Sequence, residues 1–284
     1  MHRDLKYELR QSSSSINARD AFGRTALWWS CSKGSTHTTE TLLRHGADLN
    51  IVDNTHATPL HAAVTSGNID MVRLMLRYGA ESRDIDDWGS TPLMTAVWHD
   101  SNELIDLLLK HGADIRARDK CLGQTALSFA AKTNHVRSAK SLLEHGADMN
   151  EKDDYGDSPL FLSVLGRAAA TTQYFLRQGA DYTVTNKSGK TILHYAAEFG
   201  TPEVLAALTA FDLSELDIHA KDKEGKTAND VFEKSKTLRT RDVADAFYDL
   251  IGMAWYPEVS DIVRVETESE ESSVESNYQD CQEN

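Results

Sequence analysis

The hexapeptide Thr58-Pro59-Leu60-His61-Ala62-Ala63 decides the fold, because versions of it return along the chain at a nearly constant spacing. Each version opens with a threonine or a serine, and the openings are Thr25, Thr58, Thr91, Thr125, Ser158 and Thr191. The steps between them are 33, 33, 34, 33 and 33 residues. A Gly-Ala pair keeps the same register, at Gly46, Gly79, Gly112, Gly146 and Gly179. This shared period indicates one structural unit copied along the chain.

Each copy predicts two short helices. The opening hydroxyl can accept a hydrogen bond from the first free N–H groups of a helix, and a proline such as Pro59 suits the first helical position. The second helix is apolar at helical spacing, as Ile69, Val72 and Met75 show. The first helix should end in a left-handed residue. The expected positions are Gly34, Gly67, Asp100, Asn134, Gly166 (by a one-residue shift) and Gly200.

The repeated block resembles the ankyrin repeat, whose period is about 33 residues and whose signature is T-P-L-H-x-A. The resemblance covers roughly residues 16–252 and is best carried by 58–63 and 191–197. It implies an all-α ankyrin-repeat solenoid of stacked helix-turn-helix units with hairpin-like finger loops. His61 and His194 fill the histidine position of the repeat, where the resemblance implies that the ring ties neighbouring turns together.

The predicted organisation has three parts. Residues 1–15 form an N-terminal stub, interpreted as the remnant of a preceding repeat, residues 16–256 form the array, and residues 257–284 form an acidic disordered tail. Within the array we expect repeats near 20–52, 53–85, 86–118, 119–152, 153–185 and 186–222, with a degenerate cap at 223–252. Tails of this composition are usually solvating, and a regulatory role is the alternative.

Charge and composition exclude several classes of function. Residues 257–284 hold nine acids and one base, so they carry −8 of the formal net charge of −14 and leave −6 for the rest. Nucleic acid would be repelled by both parts. No stretch approaches the roughly 20 apolar residues of a membrane span. Three widely spaced cysteines and an N-terminus without an apolar signal favour the cytoplasm, with the nucleus left open.

Catalytic and metal chemistry finds little support in the sequence. Gly189-Lys190-Thr191 resembles the end of a phosphate-binding loop, but the glycine that the motif needs earlier is replaced by Val184. The eleven histidines show no spacing typical of a zinc site. The carboxylates fall in finger loops rather than as a pair around one cleft. We therefore expect no enzyme, no cofactor and no metal.

The resemblance implies that a partner lies in a concave groove built by the fingers and the first helices. The corresponding positions lie four, three and one residues before the capping residue, and seven and eight after it. Aromatic residues at such positions are the usual anchors of interfaces. The predicted partner-binding residues are Phe22, Arg24, Lys33, Trp88, Trp98, His99, Leu122, Tyr155 and Phe199.

Each predicted anchor has an alternative, since a ring can also pack on the neighbouring finger and merely stiffen it. For Trp88, Trp98 and Tyr155 as a group we favour binding, whereas Trp28 and Trp29 are expected to pack near the N-terminal end. The predicted function is a non-catalytic, monomeric scaffold that binds another protein. The alternative is an accessory or substrate-recruiting subunit, or a fragment, of a larger enzyme complex.

Overall fold

The computed structural model of the protein describes residues 15–234 and 240–252, and these residues form fourteen helices and no strand. The prediction of an all-α fold is confirmed. The predicted tail over 257–284, and all of the predicted stub except Ser15, lie outside the described residues. The helices are α1 (Ala26–Ser32), α2 (Thr36–Arg44), α3 (Pro59–Thr65), α4 (Ile69–Arg77), α5 (Pro92–Val97), α6 (Asn102–Lys110), α7 (Ala126–Lys132), α8 (Val136–Glu144), α9 (Pro159–Leu165), α10 (Ala169–Arg177), α11 (Ile192–Phe199), α12 (Pro202–Thr209), α13 (Ala228–Lys234) and α14 (Arg241–Leu250).

The chain divides into two compact units, residues 1–181 and 182–284. In the first unit the helices form five pairs, and each first helix contacts the first helix of the next pair. The second helices contact each other in the same order, from α2 to α10. In the second unit, α11 packs against α13 and α12 packs against α14. The predicted repeat boundaries, and a single array over 16–256, stay predictions.

The core of the first unit is built from equivalent apolar residues of successive repeats. The leucine two residues after each capping position is at most 1% exposed, and this set comprises Leu27, Leu60, Leu93, Leu127 and Leu160. Met71 and Leu104 add apolar volume from the second helices. One helix pair has too little surface of its own to cover these residues, so the core is shared between neighbouring pairs.

The predicted helix caps are confirmed at four positions. Each threonine hydroxyl accepts a hydrogen bond from the N–H three residues later, at Thr25, Thr58, Thr91 and Thr125. Ser158 differs, because its buried Oγ has no hydrogen-bond partner among the described residues. A buried polar group without a partner costs about 1–3 kcal/mol. Helix α9 therefore depends on Pro159 and on apolar packing rather than on its cap.

The predicted left-handed helix ends are confirmed at Gly34, Gly67, Asp100 and Asn134. The expected shift to Gly166 is wrong, because Arg167 itself has φ +56° while Gly166 has φ −77°. Gly166 is needed for a different reason, since a Cβ there would collide with the backbone carbonyl of Lys132. The prediction for Gly200 is also wrong: its φ is −58°, and a Cβ there would meet the carbonyl of its own helix.

Histidines at the fourth position of the T-P-L-H signature connect the first helix of their own repeat to the finger of the next repeat. The N–H of Thr58 donates to His61 Nδ1 at 3.2 Å, so His61 Nε2 carries the proton and donates to the carbonyl of Ser90 at 3.1 Å. The ring thus joins α3 to the next finger. In the second unit, His194 makes the equivalent bond to Lys226 at 2.9 Å. Burial holds the pKa of His61 below its ordinary value.

Candidate functional site

The loop that directly precedes the first helix of each pair is called a finger, and the five fingers of the first unit are numbered in chain order. One aspartate fixes the conformation of each finger. In four fingers its Oδ1 accepts the N–H groups two and four residues later, at 2.8–3.0 Å, and these aspartates are Asp20, Asp53, Asp86 and Asp153. The fourth finger contains the extra residue of the 34-residue step. There Asp119 accepts from Cys121, Leu122 and Gly123 instead. Each fingertip therefore has a defined backbone conformation.

Adjacent fingers are joined through the backbone of their tip residues, which in chain order are Phe22, Thr55, Trp88, Leu122 and Tyr155. The carbonyl of each of the first four tips accepts an N–H from the next finger, at distances of 2.8–3.0 Å. The bonds run from Asn54 to Phe22, from Asp87 to Thr55, from Lys120 to Trp88 and from Asp154 to Leu122. A tip residue thus has its main chain fixed on both sides, and only its side chain is free to meet a partner.

Four of the predicted rings are exposed to solvent. The exposed fractions are 61% for Phe22, 55% for Trp88, 61% for Trp98 and 59% for Tyr155. Trp98 follows α5, and its ring meets the ring of His135 edge-on, with centroids 6.4 Å apart. Lys33 and His99 are exposed as well. We call Trp88, Trp98 and Tyr155 the aromatic face.

Arg24 is engaged by rings of its own repeat and by an acid of the next finger. Its Cζ lies 4.1 Å from the ring centre of Trp28, 5.1 Å from that of Trp29 and 5.2 Å from that of Phe22. Its Nε lies 3.5 Å from a carboxylate oxygen of Asp53. These contacts give Arg24 a role in stiffening the first finger, whichever partner binds there.

Trp28 and Trp29, which are predicted to pack near the N-terminal end, both lie under the guanidinium of Arg24. Trp29 Nε1 donates to a carboxylate oxygen of Asp20 at 2.8 Å, and this bond is the main reason that the pKa of Asp20 lies below its ordinary value. Burial pushes the pKa of Asp53 upward, but hydrogen bonds from Thr55, Ala57 and Arg24 bring it below its usual range. Both carboxylates are therefore ionised at neutral pH.

Two other predicted partner-binding residues are less exposed to solvent. Leu122 is half-buried at the tip of the fourth finger. Phe199 belongs to the second unit, where it is half-buried with its ring centre 5.6 Å from that of Tyr195. The sequence could not separate these two residues from the exposed ones, since all of them occupy variable positions of the repeat.

The nine predicted residues did not include two charged groups at the fingertips. Asp87 Oδ1 lies 2.7 Å from His56 Nδ1, and Asp154 Oδ1 lies 3.1 Å from Arg118 Nη2. Arg118 also binds Glu151 and the carbonyl of Lys152. The available signal was a dipeptide, because Asp87 and Asp154 each directly precede an aromatic residue at a tip.

The titratable and nucleophilic side chains of the described residues were compared with the requirements of metal binding and catalysis. No group of three or more His, Cys, Asp or Glu side chains in this part of the chain could hold a metal ion. Ser141 Oγ donates to Asp106 Oδ1 at 3.0 Å rather than to His145, and Ser141 is buried. Burial raises the pKa of the Cys31 thiol to about 12, which keeps it protonated. Of the helices that the structure describes, none is long and apolar enough to cross a membrane.

Comparison with known proteins identifies the repeat. A family model described as ankyrin repeats (3 copies) matches residues 3–86, 57–119 and 93–186. A Caenorhabditis elegans transient receptor potential cation channel subfamily A member 1 homolog is 33% identical over 128 residues, which are 45% of this chain and 10% of that protein. Mouse ankyrin repeat domain-containing protein 37 is 38% identical over 93 residues, which are 32% of this chain and 57% of that protein.

Two solved structures share the fold. The ankyrin repeat domain of human ASB11 has a TM-score of 0.66 at 23% identity, over 76% of this chain and 98% of that one. The ankyrin repeat domain of Bcl-3, a member of the IkappaB protein family, has a TM-score of 0.63 at 29% identity, over 79% and 98%. Of the two sequence relatives, the chain spans a tenth of the worm protein and just over half of the mouse protein.

Proposed function

Since this chain belongs to the ankyrin-repeat proteins, whose repeats mediate binding between proteins, we propose that it is a non-catalytic scaffold that binds a partner protein through the aromatic face of its first unit. One observation carries the proposal. Trp88, Trp98 and Tyr155 each keep more than half of their surface in solvent. Rings exposed to this degree, in the third and fifth repeats of one unit, are typical of an interaction surface.

The backbone supports the same function. The carbonyl of Trp88 accepts an N–H from Lys120, and the N–H of Trp88 donates to Asp86 at 3.0 Å. A main chain held in this way loses little further backbone entropy when a partner binds. Truncating an anchor of this kind usually costs about 2 kcal/mol or more, and about 1.4 kcal/mol corresponds to a tenfold change in Kd.

The alternative role of the rings is to stiffen the fingers. Trp88 makes no ring contact with another described aromatic residue, and Trp98 contacts only His135 within the same part of the chain. Phe22 shows what a stiffening ring looks like, since it lies against Arg24. This contrast favours binding for the aromatic face.

The proposal is tested with the double variant Trp88→Ala, Trp98→Ala of the full chain. Partner capture from lysate is measured by quantitative mass spectrometry, alongside the melting temperature. We expect capture to fall at least tenfold while Tm changes by less than about 2 °C, because exposed side chains contribute little to stability. The matched control is Tyr78→Ala, which removes an exposed ring from the end of α4, away from the fingers. Retained capture together with a lower Tm would show that the rings serve packing instead.

A further inference from the structure

Two fingertips of the first unit carry the same pair of side chains. In the third finger the exposed Asp87 precedes the exposed Trp88, and in the fifth finger the exposed Asp154 precedes the exposed Tyr155. The other three tips have no acid before the tip residue, since Ala21, Asn54 and Cys121 occupy that position. The pair of an acid and a ring is therefore confined to alternate fingers.

Both carboxylates are held in place without being buried. Asp87 is anchored by His56 and Asp154 by Arg118, and their side chains stay 50% and 63% exposed. Their N–H groups donate to the tip carbonyls of the preceding fingers, Thr55 and Leu122. Each of these two fingertips thus carries an exposed carboxylate, held by one neighbouring side chain, on the residue that directly precedes an exposed ring.

A carboxylate and a ring on adjacent exposed residues can together receive a cation. The ring attracts the cation through its quadrupole, and the carboxylate pairs with its charge. Arginine suits such a site best, because its planar guanidinium can stack on a ring and bind a carboxylate in one orientation. The formal net charge of −14 also attracts a basic partner at long range.

The first repeat shows a related contact within the chain, in which the acid comes from the second finger rather than from the residue before the ring. There the guanidinium of Arg24 lies over the rings of Phe22, Trp28 and Trp29, with Asp53 at 3.5 Å. Among the described residues, no cation lies over the ring of Trp88 or of Tyr155. The third and fifth fingers thus have the acid and the ring but no arginine of their own over the ring.

The spacing of the two fingers defines the ligand further. Neighbouring helices pack about 8–10 Å apart, so two repeats place the fingers about 20 Å apart. An extended peptide covers that distance in about six residues. The fourth finger lies between them and presents the exposed Lys120, which repels a basic residue at the midpoint.

We infer that the aromatic face binds an extended segment of a partner protein that carries two arginines about six residues apart, with a neutral or acidic residue midway. One arginine stacks on Trp88 and pairs with Asp87, and the other stacks on Tyr155 and pairs with Asp154. The inference rests on the proposed function, since it gives the chemistry of the partner for the same surface.

The test uses synthetic fluorescent peptides and the full chain, with binding followed by fluorescence anisotropy. The first peptide consists of serine and glycine, with two arginines about six residues apart and an aspartate midway. The second replaces both arginines by leucine, and the third places the arginines about three residues apart. We expect the first peptide to bind about tenfold more tightly than either control, and to weaken as salt is added.

Variants locate the effect on the fingers. Asp87→Asn and Asp154→Asn should each weaken the first peptide by about twofold to fivefold, the range of an exposed ion pair. Asp70→Asn is the matched control, because it removes the same charge from an exposed site at the start of α4. An equal loss with Asp70→Asn would reduce the effect to general charge attraction and overturn the inference.

The two proposals fail in different ways. Tight binding of the leucine peptide and none of the arginine peptide, with the Trp88→Ala, Trp98→Ala variant losing both peptide and partner, would overturn the arginine inference and leave the aromatic face as a binding surface. Arginine-peptide binding that survives loss of Trp88 and Tyr155 would place the ligand elsewhere and overturn the inference.

Discussion

The packed interface between successive repeats, called the seam, differs from the fingertips of the first unit in how much its residues vary from repeat to repeat. In the seam, equivalent positions hold the same kind of residue and do the same work, as Leu27, Leu60 and Leu93 do in the core. At the tips, equivalent positions differ, and so do their surroundings: both Phe22 and Trp88 are more than half exposed, but only Phe22 has a guanidinium over its ring among the described residues. Changes in the seam should therefore alter stability, and changes at the tips should alter binding.

The largest expected effect comes from Gly166→Ala in the seam. The new Cβ would collide with the carbonyl of Lys132, and a backbone atom cannot move aside easily. We expect a loss of about 3 kcal/mol in the free energy of unfolding, measured by urea denaturation. Gly146→Ala is the control, because a Cβ there meets open space and costs only the strain of its left-handed φ, about 1 kcal/mol. Equal losses in both variants would argue against close packing at Gly166.

The second effect concerns the histidine that joins one repeat to the next. Replacing His61 by alanine removes the donor to Ser90 and leaves a cavity, so the protein should lose about 2 kcal/mol of stability. His45→Ala is the control, since that exposed ring bonds only to its own helix at Thr41. A loss for His61→Ala no larger than for His45→Ala would contradict the role of His61 in the seam.

The third effect lies at the boundary between the two regions. Arg24→Ala removes the guanidinium from three rings and should cost about 1 kcal/mol, as cation–ring contacts of this exposure usually do. Lys33→Ala, at the exposed end of α1, should leave thermal stability unchanged. If Arg24→Ala leaves stability unchanged but weakens partner capture, then Arg24 belongs with the binding fingertips.

The smallest effect is a dependence of stability on pH. Burial lowers the pKa of His61 in the folded state, so the unfolded chain takes up this proton first as the pH falls. The free energy of unfolding that neutral His61 contributes is fully present above the unfolded-state pKa of about 6.5. It declines as the pH falls from there toward the folded-state pKa. The lowered carboxylate pKa values of Asp20 and Asp53 contribute only at more acidic pH. Denaturation between about pH 7 and 5 should show a steeper decline for the native chain than for His61→Gln. Parallel declines would rule out His61 as the group responsible.

The sequence predicted the seam better than the tips. The caps at Thr25, Thr58, Thr91 and Thr125 were found because a helix start depends on residues within one turn. The failures concern single positions whose surroundings the repeat pattern does not show. Arg167 occupies the register position of the left-handed residues and adopts that conformation itself, whereas Gly166 is required by the carbonyl of Lys132, a contact 34 residues away in sequence.

The candidate site was only partly predictable for the same reason. Its positions followed from the resemblance of the repeat, and Trp88, Trp98 and Tyr155 were among them. The engagement of Arg24 with three rings did not follow, nor did the anchoring of Asp87 by His56 and of Asp154 by Arg118. These contacts join side chains whose directions depend on the fold of each finger.

The sequence by itself determined the repeat, its two helices and the apolar residues of its core, because periodicity and helix capping act over a few residues. Only the tertiary structure decided which variable side chains face solvent and which are engaged by their neighbours. The physical reason is that exposure is set by what the adjacent finger places beside a residue, and that neighbour lies one full repeat away along the chain.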